Sequence, residues 1–196
     1  MVSPDTTSED REERKQQTAE VFTPPFLVID MLDKLPKKKS WQDETSTFCD
    51  PASGNGNFLI EVLSRKINAQ QKPLIALKTV YGADIMADNI REARCRLLEV
   101  IAEHGTVGPS HVHTVLKNVV WINLEQHAGG SLDYNFDFDN EPSDKDVETW
   151  LVHWKEYHTT GINRVSYLPV RAEKFVAKSE EPDIFAENEE AKKATY

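Results

Sequence analysis

The stretch FCDPASGNGNFLIEVL, residues 48–63, is the part of the sequence that most constrains the fold. The apolar run that ends at Asp50 is typical of a short strand, and the apolar residues from Phe58 onward recur at helical spacing. Between them, Gly54 and Gly56 permit a tight turn and a close approach of the backbone to another group, because they carry no Cβ. The stretch therefore predicts a strand, a tight turn and a helix, with the turn as a candidate binding element.

The same alternation of strand and helix continues on both sides of this turn. A helix is predicted from Pro25 to about Pro36, a second strand in ALKTVYGADI (76–85), a helix from Asn89 to His104, and a third strand in HVHTVLKNVVWINL (111–124). Such alternation predicts an α/β protein, with a parallel sheet and helices on both faces.

Two acids follow the first two predicted strands. Asp50 ends the first strand and Asp84 ends the second. In open parallel sheets, ligands bind beyond the carboxyl ends of the strands. The two carboxylates are therefore expected at one edge of the sheet, beside the glycine turn. In the alternative reading, both are ordinary turn residues at strand ends.

Composition limits the class of protein. The chain has 196 residues and a net charge of −10, and no apolar run approaches the roughly 18 residues of a membrane span. The acidic balance argues against DNA binding by this chain alone, unless one basic face lies within that total. Cys49 and Cys95 form no CxxC, which favours two reduced thiols in a cytoplasmic protein.

We expect one domain, residues 18–178, between a polar N-terminal tail, 1–17, and an acidic C-terminal tail, 179–196. The segment VETWLVHWKEYH (147–158) predicts an amphipathic helix, and 162–177 suits one or two strands.

Several smaller features have two readings. His111 and His113 lie on one face if their segment is a strand, but no third ligand is in view, so no metal site is predicted. Trp150 and Trp154 favour helix packing over base stacking. The acidic stretch 133–148 is read as solvated surface, with mimicry of DNA charge as the alternative.

The residues of the glycine turn limit the class of ligand that it could bind. No GK[ST] follows, so the turn is not a phosphate loop, and Leu59 replaces the third glycine of a dinucleotide motif. Asp50 provides an acceptor for an ammonium or hydroxyl group. An acid in the position of Asp84 typically accepts hydrogen bonds from ribose hydroxyls. Together they suggest a nucleoside that carries an amino acid part.

Three segments, EVFTPPFLVIDML, FCDPASGNGNFLIEVL and VYGADIMADNIREARCRLL, resemble the cofactor-binding half of adenine-N6-specific DNA methyltransferases. The resemblance covers about residues 18–136. It implies a Rossmann-like methyltransferase fold, complete or truncated, and S-adenosylmethionine as the cofactor.

The resemblance also implies the role of individual residues. Phe22, Thr23 and Pro24 would flank the methionine end of the cofactor. Asp84 would bind the ribose, and Ile85 would pack on the adenine. The remaining cofactor residues would form the cradle: Asp50, Pro51, Gly54, Gly56, Asn57 and Phe58.

The sequence departs from this family in the half that would hold the acceptor. The family's [DN]PP[YF] tetrapeptide accepts hydrogen bonds from the target amine and stacks on the flipped base. Here only NEPS (140–143) stands near the expected place, so Asn140 or a nearby acid is the sole catalytic candidate. The letters TPPF at 23–26 belong to the cofactor segment.

Three functions follow as hypotheses. The first is a DNA adenine-N6 methyltransferase with a divergent or incomplete catalytic half, touching DNA only together with a protein partner or a second copy. The second is a catalytically silent methyltransferase-like module that acts through a protein partner, as in a restriction or anti-restriction complex or a split enzyme. The third is methylation of a protein or small molecule.

Overall fold

The computed structural model describes residues 22–35, 41–122 and 141–160. These ranges contain six helices and three strands. In chain order they are α1 (Pro25–Asp33), β1 (Phe48–Asp50), α2 (Asn57–Asn68), α3 (Pro73–Leu77), β2 (Val80–Asp84), α4 (Ala87–Glu103), α5 (Pro109–Asn118), β3 (Val119–Trp121) and α6 (Asp144–Thr160).

The three strands form one small parallel sheet in the order β1-β2-β3. Phe48 lies opposite Val80 across the first pair, and Asp84 lies opposite Trp121 across the second. The predicted α/β class and the parallel strands are confirmed, and the arrangement is compatible with a Rossmann-like fold. Since the strands run the same way, Asp50 and Asp84 end at the same edge of the sheet.

Helix α2 packs directly on the sheet through its apolar face. Leu59 and Leu63 are almost fully buried. A Cβ added to Gly82 in the middle of β2 would lie 2.4 Å from Leu59 Cδ1. Leu59 thus fills the space that a side chain at position 82 would need. This contact allows α2 to lie close to the sheet.

The segment before β1 is attached to the end of α2 by buried polar side chains. Lys66 is fully buried, and its ammonium donates to the carbonyl of Ser46 at 2.7 Å. The amide of Gln71 donates to the carbonyl of Trp41 at 2.7 Å. Because buried polar groups need partners, these bonds keep Trp41 and the start of β1 against the helix.

The sequence prediction was wrong over residues 111–118, which form most of α5 rather than a strand. Pro109 occupies the first turn of the helix, where a missing N–H costs nothing. Val112, Val115 and Leu116 then follow at helical spacing and are buried. The third strand is confined to Val119–Trp121. The short helix α3 was not predicted either.

The predicted amphipathic helix is confirmed as α6. Trp150 and Trp154 are only 1% and 3% exposed, as expected for helix packing. The guanidinium of Arg94 on α4 lies 5.4 Å from the centre of the Trp150 ring. Helix α6 therefore packs against α4 and α5 and completes the core on that side of the molecule.

Other predictions fall outside the described residues. These are the two tails, the strands expected in 162–177 and the first half, 133–140, of the acidic stretch 133–148, so the boundaries of the domain remain predictions. Among the described helices, none has the length and apolar character needed to cross a membrane.

Candidate functional site

A cleft of about 230 Å³ opens at the carboxyl edge of the sheet, between the glycine turn and the residues just before α1. Six residues predicted to bind a cofactor line it: Phe22, Thr23, Asp50, Gly54, Asn57 and Phe58. Residues 34 positions apart, such as Thr23 and Asn57, meet here. Ala52, Ser53 and Asn55 complete the lining.

The shape of the glycine turn comes from two left-handed residues and from anchoring to β2. Gly54 and Gly56 have φ angles of +50° and +88°, a region that favours glycine. The backbone N–H of Ser53 donates to the carbonyl of Ala83 at 2.8 Å, and the Ser53 hydroxyl donates to the same oxygen at 3.1 Å. Gly56 then caps the start of α2.

The space left by the two glycines is taken by other parts of the chain. A Cβ on Gly54 would lie 3.1 Å from the ring of Phe22, and a Cβ on Gly56 would lie 2.9 Å from the Cβ of Ala93. The sequence suggested close approach to a ligand. In the structure, Gly54 instead leaves room for the ring of Phe22 in the cleft wall, and Gly56 leaves room for Ala93 of α4.

Asp50 is half-buried in the cleft and has a perturbed carboxyl group. Its Oδ1 accepts the N–H of Ala52 at 3.1 Å. Burial raises the pKa of Asp50, the bond from Ala52 opposes this, and the nearby charge of Asp84 adds to the increase. A carboxylate held in this way is stabilised by an approaching cation, so Asp50 suits the binding of an ammonium group.

Asp84 is 9% exposed, and its carboxylate is engaged within the protein. Its Oδ2 accepts the N–H of Gly54 at 2.8 Å, and its Oδ1 accepts the N–H of Met86 at 2.8 Å. Asp84 does not line the cleft; it holds the glycine turn. Ribose binding by Asp84 stays a prediction, and a ribose hydroxyl would have to share this carboxylate with Gly54.

Four more predicted residues lie around the cleft without lining it. Ile85 is 46% exposed, and its carbonyl accepts a hydrogen bond from the Trp121 indole at 2.9 Å. Pro24 caps α1, Pro51 is exposed on the turn, and Gly56 caps α2. Asn140, the catalytic candidate named from the sequence beside a nearby acid, lies outside the described residues.

Sequence reasoning missed one charged residue behind the cleft. Arg96 on α4 donates from Nη1 to the side-chain oxygen of Asn57 and to the carbonyl of Asn55, each at 2.8 Å. Burial lowers the pKa of Arg96, and Glu92 opposes that change. Its only signal in the sequence was its place in the segment NIREARCRLL.

The two histidines of α5 each contact another part of the protein. The Nδ1 of His111 accepts the N–H of Gly108 at 3.1 Å, and the Nε2 of His113 lies 2.9 Å from Glu141. Within the described ranges, no three His, Cys, Asp or Glu side chains are grouped so that they could hold a metal ion.

The lining of the cleft suits one part of S-adenosylmethionine. Asp50 and the polar lining suit a charged amino acid group, and the exposed Ile85 follows Asp84 at the same edge. The residues present therefore fit the methionine end, with Ile85 available for an aromatic ring.

The chain is similar to a known methyltransferase over nearly half its length. It is 37% identical over 89 residues to the type II methyltransferase M.VspI of Vibrio sp. (strain 343). The matched region covers 45% of this chain and spans about a fifth, 19%, of that relative. No protein-family model matches the chain, and no solved structure matches it. The similarity supports a relationship to methyltransferases.

Proposed function

We propose that this chain is the S-adenosylmethionine-binding part of a methyltransferase that acts on the N6 amine of adenine in DNA. Its catalytic half is divergent or incomplete, and a protein partner or a second copy of the chain completes the acceptor site. DNA contact occurs in that assembly rather than through this acidic chain alone.

The observation that carries the proposal is the position of Asp50 in a polar cleft at the carboxyl edge of a parallel sheet. That is where ligands bind in open α/β sheets. The glycine turn that frames the cleft begins directly after this acid, and the chain is 37% identical over 89 residues to a methyltransferase.

Residues in and around the cleft have distinct roles in this proposal. S-adenosylmethionine supplies the methyl group. Asp50 pairs with the ammonium of its methionine part, and Phe22 and Thr23 form the wall that orients that end. Asp84 holds the glycine turn and shares its carboxylate with the ribose, while Ile85 packs on the adenine.

The acceptor amine needs a group that takes its proton as the methyl is transferred. In this chain Asn140 stands closest to the expected place, but NEPS has neither the second proline nor the aromatic residue of the family's tetrapeptide. This departure favours a second candidate function, a silent methyltransferase-like module that binds cofactor and acts through a protein partner.

Calorimetry with S-adenosylmethionine tests the cofactor site. The wild-type chain is expected to bind, and Asp50→Asn is expected to weaken binding by about tenfold or more, because the neutral amide lacks the negative charge that pairs with the ammonium. Asp30→Asn removes an exposed carboxylate on α1 and serves as the matched control. Absence of binding by the wild-type chain at millimolar ligand would refute the proposal.

The stability of the Asp50→Asn variant tests whether Asp50 serves binding or folding. Because folding raises the pKa of Asp50, the charged carboxylate is less favourable in the folded state than in the unfolded state at neutral pH. We therefore expect Asp50→Asn to unfold at an equal or higher denaturant concentration. A clearly less stable variant would mean that Asp50 is a structural residue.

Transfer of a labelled methyl group to unmethylated DNA separates the two functions. Labelled N6-methyladenine formed only when a co-purifying protein is added supports the incomplete enzyme. Transfer by the monomeric chain alone would overturn the idea that the acceptor site is incomplete, whereas transfer that appears only when the chain self-associates supports completion by a second copy. Cofactor binding without transfer in any combination supports the silent module.

A further inference from the structure

Arg96, which lies behind the cleft, and two residues of the cleft lining form a connected polar group, here called the Arg96 bridge: Arg96, Asn55 and Asn57. Arg96 projects from α4, while Asn55 belongs to the glycine turn and Asn57 begins α2. One guanidinium nitrogen of Arg96 donates to the Asn55 carbonyl and to the Asn57 side-chain oxygen, both at 2.8 Å. The bridge thus joins α4 to the turn that frames the cleft.

The bridge extends to the opposite wall of the cleft. The side-chain amide of Asn57 donates to the carbonyl of Thr23 at 2.8 Å. Because Arg96 occupies the oxygen of this amide, the nitrogen is directed to Thr23. Phe22, next to Thr23, has its ring against Gly54. The wall made by Phe22 and Thr23 is therefore connected to α4 through two successive hydrogen bonds.

A neighbouring arginine shows that this is a separate role from core packing. Arg94 is 4% exposed and donates to the carbonyls of Val119 and Leu116, and its guanidinium lies over Trp150. Its hydrogen bonds attach α4 to the start of β3 and to the end of α5. Arg96, two residues later, instead directs its donors to the cleft.

We propose that Arg96 is a positioning residue for the cofactor cleft. It orients Asn57, which holds the Thr23 carbonyl and so places Phe22 over the glycine turn. Arg96 does not line the cleft and is assigned no contact with the ligand. The effect of Arg96 on the affinity for S-adenosylmethionine rests on the proposed function. Its effect on the position of Phe22 and Thr23 does not.

The first test compares Arg96→Met with Arg96→Lys and with Arg91→Met, the same change elsewhere on α4. Hydrogen exchange followed by mass spectrometry is measured on the peptides that cover 22–33 and 54–58. We expect faster exchange in both peptides for Arg96→Met, partial recovery for Arg96→Lys, and wild-type exchange for Arg91→Met. Unchanged exchange in Arg96→Met would overturn the proposal.

The second test is affinity for S-adenosylmethionine. We expect Arg96→Met to raise the Kd by about tenfold, as for the loss of one charge-assisted bond. An unchanged Kd would contradict the proposal. If the wild-type chain binds no cofactor but exchange still rises in Arg96→Met, the wall is positioned by Arg96 and the proposed function alone fails.

A further variant covers the case in which Arg96→Met does not fold. Asn57→Asp keeps an acceptor for Arg96 but has no amide to donate to Thr23. A carboxylate at the first residue of α2 is favourable for the helix. This variant is expected to fold and to show faster exchange in the 22–33 peptide only. Wild-type exchange there would overturn the proposed link.

Discussion

At the scale of single residues, one exposed carboxylate has an unusually low pKa. Asp43 accepts hydrogen bonds from the Thr45 hydroxyl at 2.7 Å, the Ser46 hydroxyl at 2.7 Å and the Thr45 N–H at 2.8 Å. The bond from the Thr45 hydroxyl is the largest of these effects, and together they lower the pKa of Asp43 from 3.8 to about 2. Asp43 thus stabilises the segment before β1 in its ionised form.

This shift predicts part of the acid sensitivity of the fold. Because the folded-state pKa lies below the unfolded value of 3.8, the contribution of Asp43 is complete above pH 3.8 and is lost as pH falls to about 2. Denaturant midpoints measured from pH 7 to pH 2 should fall less steeply for Asp43→Asn than for the wild type below pH 3.8. Thr45→Ala should behave in between. Identical slopes for all three proteins would contradict the assignment.

Asp50 and Asp84 show what residue type and position can predict. Both were expected at strand ends, and both are there. Their environments differ, because Asp50 lines the cleft while Asp84 accepts the N–H groups of Gly54 and Met86. Sequence identifies a carboxylate at an edge of a sheet, but not which donors already occupy it.

At the scale of elements, the contact between α2 and β2 depends on a missing side chain. Gly82→Ala would bring a Cβ to 2.4 Å from Leu59 Cδ1 and 3.3 Å from the Cβ of Ser53. The Leu59 side chain, or the helix that carries it, must then shift. This contact was not foreseen, since Gly82 lies within a predicted strand and gives no signal of what packs over it.

We expect Gly82→Ala to lower the free energy of unfolding by about 1–3 kcal/mol, as for overpacked cores. Gly105→Ala, where no atom lies within 4 Å of the added Cβ, should change it by less than about 0.5 kcal/mol. Chemical denaturation measures both. In the double variant Gly82→Ala with Leu59→Ala, the loss of unfolding free energy should be smaller than the sum of the losses in the two single variants. Full additivity, or a Gly82→Ala protein as stable as the wild type, would contradict this packing.

The error over residues 111–118 also belongs to this scale. Apolar residues in HVHTVLKNVV suit a strand as well as a helix, and short apolar runs are ambiguous on periodicity alone. Pro109 after Gly108 was the available helix signal, because proline is common in the first turn of a helix. The helix α2 was predicted more reliably because its stripe of apolar residues is longer.

At the scale of the whole molecule, α6 closes the core over α4 and α5. Trp150 and Trp154 are buried there, and the ring of Trp154 stacks on His158 at 4.9 Å between centroids. Cys95 on α4 is buried close to this helix, and burial raises the pKa of its thiol. Cys49 is exposed on β1. The two thiols are free, as the sequence predicted. The reactivity of Cys95 therefore depends on the core remaining closed, whereas that of Cys49 does not.

Trp150→Ala should destabilise the protein by about 3–5 kcal/mol, as large aromatic truncations in cores do. Under native conditions Cys95 should then react with an alkylating reagent much faster than in the wild type, whereas Cys49 should react at the same rate in both. Val152→Ala, at a position that is 58% exposed on the same helix, is the control. Slow labelling of Cys95 in Trp150→Ala would mean that α6 is not part of the cooperative core.

The sequence by itself determined the α/β class, the parallel sheet, and the place of Asp50 and the glycine turn at one edge, because these follow from local periodicity and from the direction of strands. Only the resemblance to a methyltransferase family implied that Phe22 and Thr23 lie there too. Only the tertiary structure decided that Asp84 holds Gly54 and that Arg96 connects α4 to Thr23. These contacts join residues 30 or more positions apart. Such hydrogen bonds depend on which side chains meet after packing, and no local pattern encodes that outcome.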